Sequence, residues 1–180
     1  MPGVIRTRVG YAGGSKHNPT YHNLGRHTET LEIDFLPDQI TYEELLEIVW
    51  SLHDPKRSPV NRQYASAIFY RSDQQRLIIK KTLETVHSQT LEDVDTMVIP
   101  LDRFYRAEDY HQKYQLRQSS RLNSFFQKHY SAEKLVNSTV AARINGFLSG
   151  FGSRQLMDDE WKSYGLPDDW RNSLSRRIHD

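Results

Sequence analysis

Two strand patterns precede the first helical pattern in this 180-residue chain, and that order restricts its fold more than any other feature. Val4 to Tyr11 reads as the first strand. Gly10, Gly13 and Gly14 interrupt it, and Gly13-Gly14 permits positive φ. Asn18-Pro19-Thr20 continues the loop. Thr30 to Phe35 then alternates, with Leu31, Ile33 and Phe35 on one face and Thr30, Glu32 and Asp34 on the other. Such alternation marks a half-buried strand. Two strands in succession, followed by helices and strands in turn, favour an α+β sandwich over a doubly wound parallel sheet.

Leu36-Pro37-Asp38 closes the second strand, and Thr41 followed by Glu44 is a capping-box pattern. The helix behind it places Leu45, Ile48, Val49 and Leu52 on one stripe. His53-Asp54-Pro55 ends it, because proline disfavours a helical residue before it. Tyr64 to Arg71 reads as a strand, and Ser72 with Gln75 caps a helix to about His87, with Leu77, Ile78 and Leu83 inward. Asp95 to Leu101 is a short strand, and Ala107 to about His129 is helical, weakened at Ser119-Ser120. Ser131 to about Phe147 is a further helix, stopped near Gly150; Trp161, Leu166 and Trp170 anchor the polar tail. The expected organisation is one domain over 1–130 with a helical C-terminal extension over 131–180 packed on it.

Net charge is +1, which gives no electrostatic case for nucleic acid or an anionic membrane. No apolar run has the length of a membrane span, and Met1 to Arg6 carries no signal-peptide core. The default location is the cytoplasm. Asn137-Ser138-Thr139 fits a glycosylation acceptor, a triplet that chance supplies often. The chain has no cysteine, which excludes disulfides, cysteine-ligated metals and thiol catalysis by these residues.

Tyr11, Tyr21, Tyr64 and Tyr105 lie next to loop signals. A phenol donates a hydrogen bond while its ring forms an apolar wall, which suits a small polar-headed ligand; ordinary half-buried strand aromatics account for the same pattern. Glu29 shares the face of Leu31, Ile33 and Phe35. Burial there would desolvate it and suit it to proton donation; a fraying strand edge would leave it solvated. His22, His27, His53 and His111 lack the spacing of a zinc-binding helix, so loop histidines are the better reading and no metal is expected. No phosphate loop, nucleophile elbow or dinucleotide fingerprint is present, and no cofactor is expected.

From about Gly3 to Tyr114 the chain resembles the peptide methionine sulfoxide reductase A family. The motifs that carry the resemblance are Val9-Gly10-Tyr11-Ala12-Gly13-Gly14, Asn18-Pro19-Thr20-Tyr21 and His27-Thr28-Glu29. Thr41 to Leu46 leading to Trp50, His53-Asp54-Pro55, Arg62-Gln63-Tyr64 and Tyr105 to Tyr114 complete the set. The resemblance implies a two-layer α/β sandwich with a ferredoxin-like core. It implies reduction of methionine-S-sulfoxide in peptides or proteins by a cysteine thiolate, later resolved by thioredoxin. It implies Glu29 as proton donor and Tyr11 and Tyr64 as the hydroxyls that hold the sulfoxide oxygen.

The departures from the family pattern bear on activity. The family's Gly-Cys-Phe-Trp segment lies upstream of the Pro-Gly-Val that here is Pro2-Gly3-Val4, so nucleophile, aromatic wall and a central strand are missing. Pro59 stands where the family has a pocket aspartate, and no resolving cysteine follows. One expectation is a shortened form of a reductase, with thioredoxin as partner only of a cysteine-containing form. The other is a non-catalytic relative that binds methionine sulfoxide peptides or a protein partner. In both, these 180 residues alone are expected to be inactive.

Overall fold

The computed structural model describes residues 1–52, 61–90 and 94–178. Five strands, β1 (Val4–Ala12), β2 (Thr28–Phe35), β3 (Ala67–Tyr70), β4 (Met97–Pro100) and β5 (Phe104–Arg106), combine with eight α-helices among these residues. In one sheet β1 lies between β2 and β5; in the other, β3 and β4 pair in parallel. β1 and β5 are antiparallel, with Tyr11 opposite Tyr105. The mixture of strand and helix is the α+β class that the element order predicts.

The described residues form two compact units, and β1 and β2 run through both. One unit comprises Val9–Glu32 and Leu36–Glu108. Its first helix, α1 (Tyr42–Leu52), starts with the expected capping box: Glu44 accepts from Thr41 N–H at 2.7 Å, and Thr41 Oγ1 accepts from Glu44 N–H at 3.2 Å. Its buried stripe is Leu45, Leu46 and Trp50, and Leu52 is exposed. The rotation relative to the predicted stripe follows from Trp50, whose indole N–H donates to buried Thr82 Oγ1 at 3.0 Å on α2 (Asp73–Thr90). α2 presents Ile79 and Thr82 inward, with Ile78 and Leu83 half-buried, while Leu77 is exposed. Leu46, Trp50, Ile68 and Ile79 form the apolar centre of this unit.

The expected strand from Tyr64 begins later. Asn61 Oδ1 accepts from Gln63 N–H at 3.0 Å, and Tyr64 N–H donates to Asn61 C=O at 3.0 Å. These bonds wind Arg62–Tyr64 into one turn of 3-10 helix, and β3 starts at Ala67. The expected helix terminus at His53-Asp54-Pro55 and the departure at Pro59 lie outside the described residues. β5 had no sequence signal strong enough to separate it from its surroundings, being three residues long.

The other unit comprises Met1–Arg8, Ile33–Phe35 and Asp109–Asp180. The helix expected from Ala107 to His129 is broken into a 3-10 turn at Asp109–His111, α3 (Tyr114–Gln118) and α4 (Ser120–His129). Lys113 takes φ 52°, outside the helical region, and Ser119 is extended. The helix expected from Ser131 is likewise two, α5 (Ala132–Asn137) and α6 (Thr139–Leu148). Ser138 separates them because its side chain accepts from Ala141 N–H and starts a new helix. α7 (Arg154–Tyr164) and α8 (Asp168–Ser175) follow, and Trp161, Leu166 and Trp170 are buried as anchors. They join Leu116, Phe126, Ile144 and Phe147 in one apolar core.

Candidate functional site

The residues expected to carry the chemistry all lie in the unit that holds β3, β4 and α2. Glu29 is the second residue of β2 and is exposed, so burial does not prime it as an acid. Its Oε1 accepts from Gln63 Nε2 at 2.5 Å. That bond ties the start of β2 to the Arg62–Tyr64 turn, where Thr28 Oγ1 also donates to Arg62 C=O at 3.1 Å. The turn therefore brings Tyr64 into the field of Glu29. Tyr64 is 56% exposed, with its ring available to a ligand in solution.

Tyr64 meets a second phenol. The Tyr21 phenol lies beside it, and that phenol, with the Glu29 carboxylate nearby, holds the Tyr64 pKa above the usual tyrosine value. Tyr64 is thus kept in the neutral form that donates. Tyr21 sits in a tight turn closed by Asn23 N–H to Thr20 C=O at 2.9 Å. Its edge meets the His22 ring with centroids 5.3 Å apart.

Tyr11 is placed differently. It is 2% exposed, faces Tyr105 across the β1–β5 ladder, and donates its hydroxyl to Glu108 Oε2 at 2.7 Å. The same carboxylate accepts Tyr21 N–H on Oε1 at 3.0 Å. Glu29, Tyr64 and Tyr21 thus form one group, and Tyr11 reaches it through Glu108. Sequence reasoning gave Glu108 no role and named Tyr21 only as one of four loop tyrosines. Their signals were the Asn18-Pro19-Thr20-Tyr21 loop and the Ala107-Glu108-Asp109 step after β5.

Two glycines let these segments meet. A Cβ on Gly10 would lie 2.3 Å from Tyr105 C=O and 2.4 Å from the Phe104 ring. A Cβ on Gly14 would lie 2.4 Å from His27 N. Gly14 N–H donates to His27 Nδ1 at 3.1 Å, so Nδ1 carries no proton, and Nε2 donates to Lys16 C=O at 2.9 Å. His27 is thereby a buried strut that holds the glycine loop against the start of β2. Among the described residues no group of three or more His, Asp or Glu is arranged to hold a metal. His53 lies outside them.

The family described as peptide methionine sulfoxide reductase matches residues 1–144. The chain belongs to that family. A peptide methionine sulfoxide reductase of Drosophila melanogaster is 40% identical over 166 residues, covering 91% of this chain and 67% of the relative. Peptide methionine sulfoxide reductase A5 of Oryza sativa subsp. japonica is 37% identical over 82% of this chain and 60% of its own length. The solved structure of methionine sulfoxide reductase A of Corynebacterium diphtheriae superposes with a TM-score of 0.56 at 32% identity, covering 66% of each chain. This member of the reductase family thus spans about two thirds or less of the length of these relatives. None of its helices among the described residues is long and apolar enough to cross a membrane.

Proposed function

We propose that this chain supplies the oxygen-binding and proton-donating part of a peptide-methionine (S)-S-oxide reductase, acting on methionine-S-sulfoxide in proteins as a repair of oxidative damage. The observation that carries this reading is that Glu29, held by Gln63 from the turn that bears the exposed Tyr64, and the Tyr21 phenol both lie beside the Tyr64 phenol. A sulfoxide oxygen is a strong acceptor and a poor leaving group until it is protonated. Two phenols that lie side by side converge their donors on one acceptor when an oxygen enters between them. Glu29, 2.5 Å from the Gln63 amide, stands beside them as the proton donor of this reading. Our reading gives Tyr21 the place at the oxygen that resemblance assigned to Tyr11, because the Tyr11 hydroxyl is engaged by Glu108.

Oxygen removal needs a two-electron reductant. In the family reaction a thiolate sulfur takes the oxygen and becomes a sulfenic acid, while the sulfoxide sulfur is reduced to a thioether. The 180 residues contain no cysteine, so they bind and polarise a sulfoxide without reducing it. A thiol outside these residues completes the reaction, and thioredoxin is the partner of that thiol. The cysteine count also favours a second reading, a relative that binds oxidised methionine peptides or a protein partner and turns nothing over.

The test is incubation of the pure 180-residue chain with a methionine-S-sulfoxide peptide and dithiothreitol, with thioether formation followed by mass. The expected result is binding without turnover. Turnover abolished by Glu29→Ala contradicts the requirement for a protein cysteine; absence of binding contradicts the site.

A further inference from the structure

Glu108 stands where β5 has just left the sheet. The β1–β5 ladder pairs Gly10 with Arg106, and Ala107 N–H donates to Val9 C=O at 3.1 Å. The backbone is therefore fixed up to the residue before Glu108. From this anchored place the half-buried carboxylate turns to two separate segments. Oε2 accepts the Tyr11 hydroxyl from β1 at 2.7 Å, and Oε1 accepts the Tyr21 backbone N–H from the loop at 3.0 Å. Hydrogen bonds to an ionised acceptor are roughly twice as strong as neutral ones.

Tyr21 belongs to no strand or helix of its own. Local bonds between Thr20 and Asn23 close its turn without fixing that turn to the sheet. One tie to the sheet runs through Glu108, while the phenol at the other end of the same residue lies beside Tyr64. We propose that Glu108 is a positioning residue, which clamps the Tyr21 backbone to the sheet and so sets where the Tyr21 phenol meets Tyr64 and Glu29. The proposal rests on the sulfoxide-binding reading of that group. Glu108 touches no substrate in this account; it acts through Tyr21, and the Tyr11 hydroxyl holds its second oxygen in place.

The two substitutions of Glu108 differ in what they leave. Glu108→Gln keeps the shape and one oxygen for Tyr21 N–H, and its amide can donate to the Tyr11 oxygen, so the clamp persists with weaker neutral bonds. Glu108→Ala removes both bonds. Losing the clamp frees the Tyr21 turn, and the two phenols no longer converge.

The experiment uses the 180-residue chain, its Glu108→Gln and Glu108→Ala variants, Tyr21→Phe and the double variant Glu108→Ala/Tyr21→Phe. Two quantities are read: hydrogen exchange at the Tyr21 amide, and the ratio of calorimetric affinities for a methionine-S-sulfoxide peptide over its methionine parent. Exchange at Tyr21 is expected to rise about tenfold in Glu108→Ala and by less in Glu108→Gln. The affinity ratio is expected to fall about tenfold in Glu108→Ala, with little further loss in the double variant. If Glu108→Ala does not fold, a smaller rise and a smaller fall in Glu108→Gln carry the same conclusion. An unchanged Tyr21 exchange rate overturns the clamp. Equal weakening of both peptides, or losses that simply add in the double variant, overturns the positioning role in favour of a merely structural one. A parent chain with no preference for the sulfoxide overturns the site reading and this role with it. A parent preference that survives both Glu108 variants overturns the role of Glu108 alone.

Discussion

Tyr11 donates its hydroxyl to Glu108 Oε2 across 2.7 Å, and the other oxygen of that carboxylate holds the backbone of Tyr21. The buried tyrosine of the Gly-Tyr-Ala-Gly-Gly string and the loop tyrosine of Asn-Pro-Thr-Tyr are thus joined through one acid. Their places differ: Tyr11 braces Glu108, and the Tyr21 phenol lies beside Tyr64.

Phenol-to-phenyl substitutions separate these duties. Tyr21→Phe and Tyr64→Phe are each expected to weaken binding of a methionine-S-sulfoxide peptide about tenfold, the worth of one donor to a strong acceptor, with little change for the methionine peptide. Tyr11→Phe is expected to weaken it less. Because the Tyr64 pKa is held above normal, the Tyr64 share of sulfoxide affinity, read as the difference between the parent and Tyr64→Phe, should persist through the pH near ~10 where an ordinary phenol ionises, and decline only beyond it. Calorimetric titration over pH 7 to about 11 checks both points, the upper limit being set by ordinary tyrosine ionisation.

The glycine loop tolerates no added carbon. Gly10→Ala forces a methyl group against Tyr105 C=O, and Gly14→Ala forces one against the His27 backbone. Each is expected to cost about 2–3 kcal/mol of stability, because backbone rather than a flexible side chain must give way. Urea unfolding of both variants, compared with Gly146→Ala, where nothing lies within 4 Å, measures the difference.

Lys113 makes stability depend on pH in an unusual direction. Its ammonium is buried and donates to Thr7 C=O and to Thr7 Oγ1, the latter at 3.1 Å. Burial, with Arg8 nearby, brings its pKa down to about 8. Below that pH the folded state carries the full cost of a buried charge. Between about 8 and the ordinary lysine value near ~10.4, the unfolded chain retains a proton that the folded chain has lost, so stability rises with pH. The gain is at most on the order of 2–3 kcal/mol. Tyr42, pushed up to about 12 by burial, opposes it once ordinary tyrosines begin to ionise near ~10. Unfolding curves at pH 7.5, 8.5 and 9.5, spanning the approximate lysine window, should show the rise in the parent and not in Lys113→Met.

Arg143 and Glu160 form the ionic centre of the helical unit. The guanidinium is almost fully buried and donates to Glu160 Oε2 at 2.9 Å, where the Tyr164 hydroxyl also donates at 2.6 Å. Burial pushes the Glu160 carboxyl up, but Arg143 and Tyr164 outweigh it and hold its pKa below normal. Its stabilising share is therefore present above the ordinary carboxylate value and is lost as pH falls. Arg143→Met is expected to destabilise the chain by about 2–4 kcal/mol, with partial recovery in Arg143→Met/Glu160→Gln. Thermal unfolding of the two variants decides this.

The elements with strong periodicity or capping were legible in the sequence. β1 and the Thr41–Glu44 box follow the expected pattern, as do the buried Trp161, Leu166 and Trp170; β2 forms where expected, but Leu31 is exposed and Ile33 and Phe35 are no more buried than Glu32 and Asp34, so its alternation does not mark a buried face. What was not legible turned on single residues. Ser138 starts a second helix inside an otherwise continuous helical pattern, and the left-handed Lys113 breaks another. Trp50 rotates the buried face of α1 because its indole finds a partner on the neighbouring helix. At the proposed site, motif matching pointed to Glu29 and Tyr64, whereas the placing of Tyr21 beside Tyr64 involves a loop bonded to Glu108 from 87 residues away. Long-range hydrogen bonds of that kind leave no local periodicity to read.

The central claim is that Glu29, Tyr21 and Tyr64 recognise a sulfoxide oxygen of one handedness. The most direct measurement is calorimetric titration of the parent chain with three versions of one peptide, carrying methionine, methionine-S-sulfoxide or methionine-R-sulfoxide. The S-sulfoxide is predicted to bind at least about tenfold more tightly than either of the others. Equal affinity for all three would contradict it.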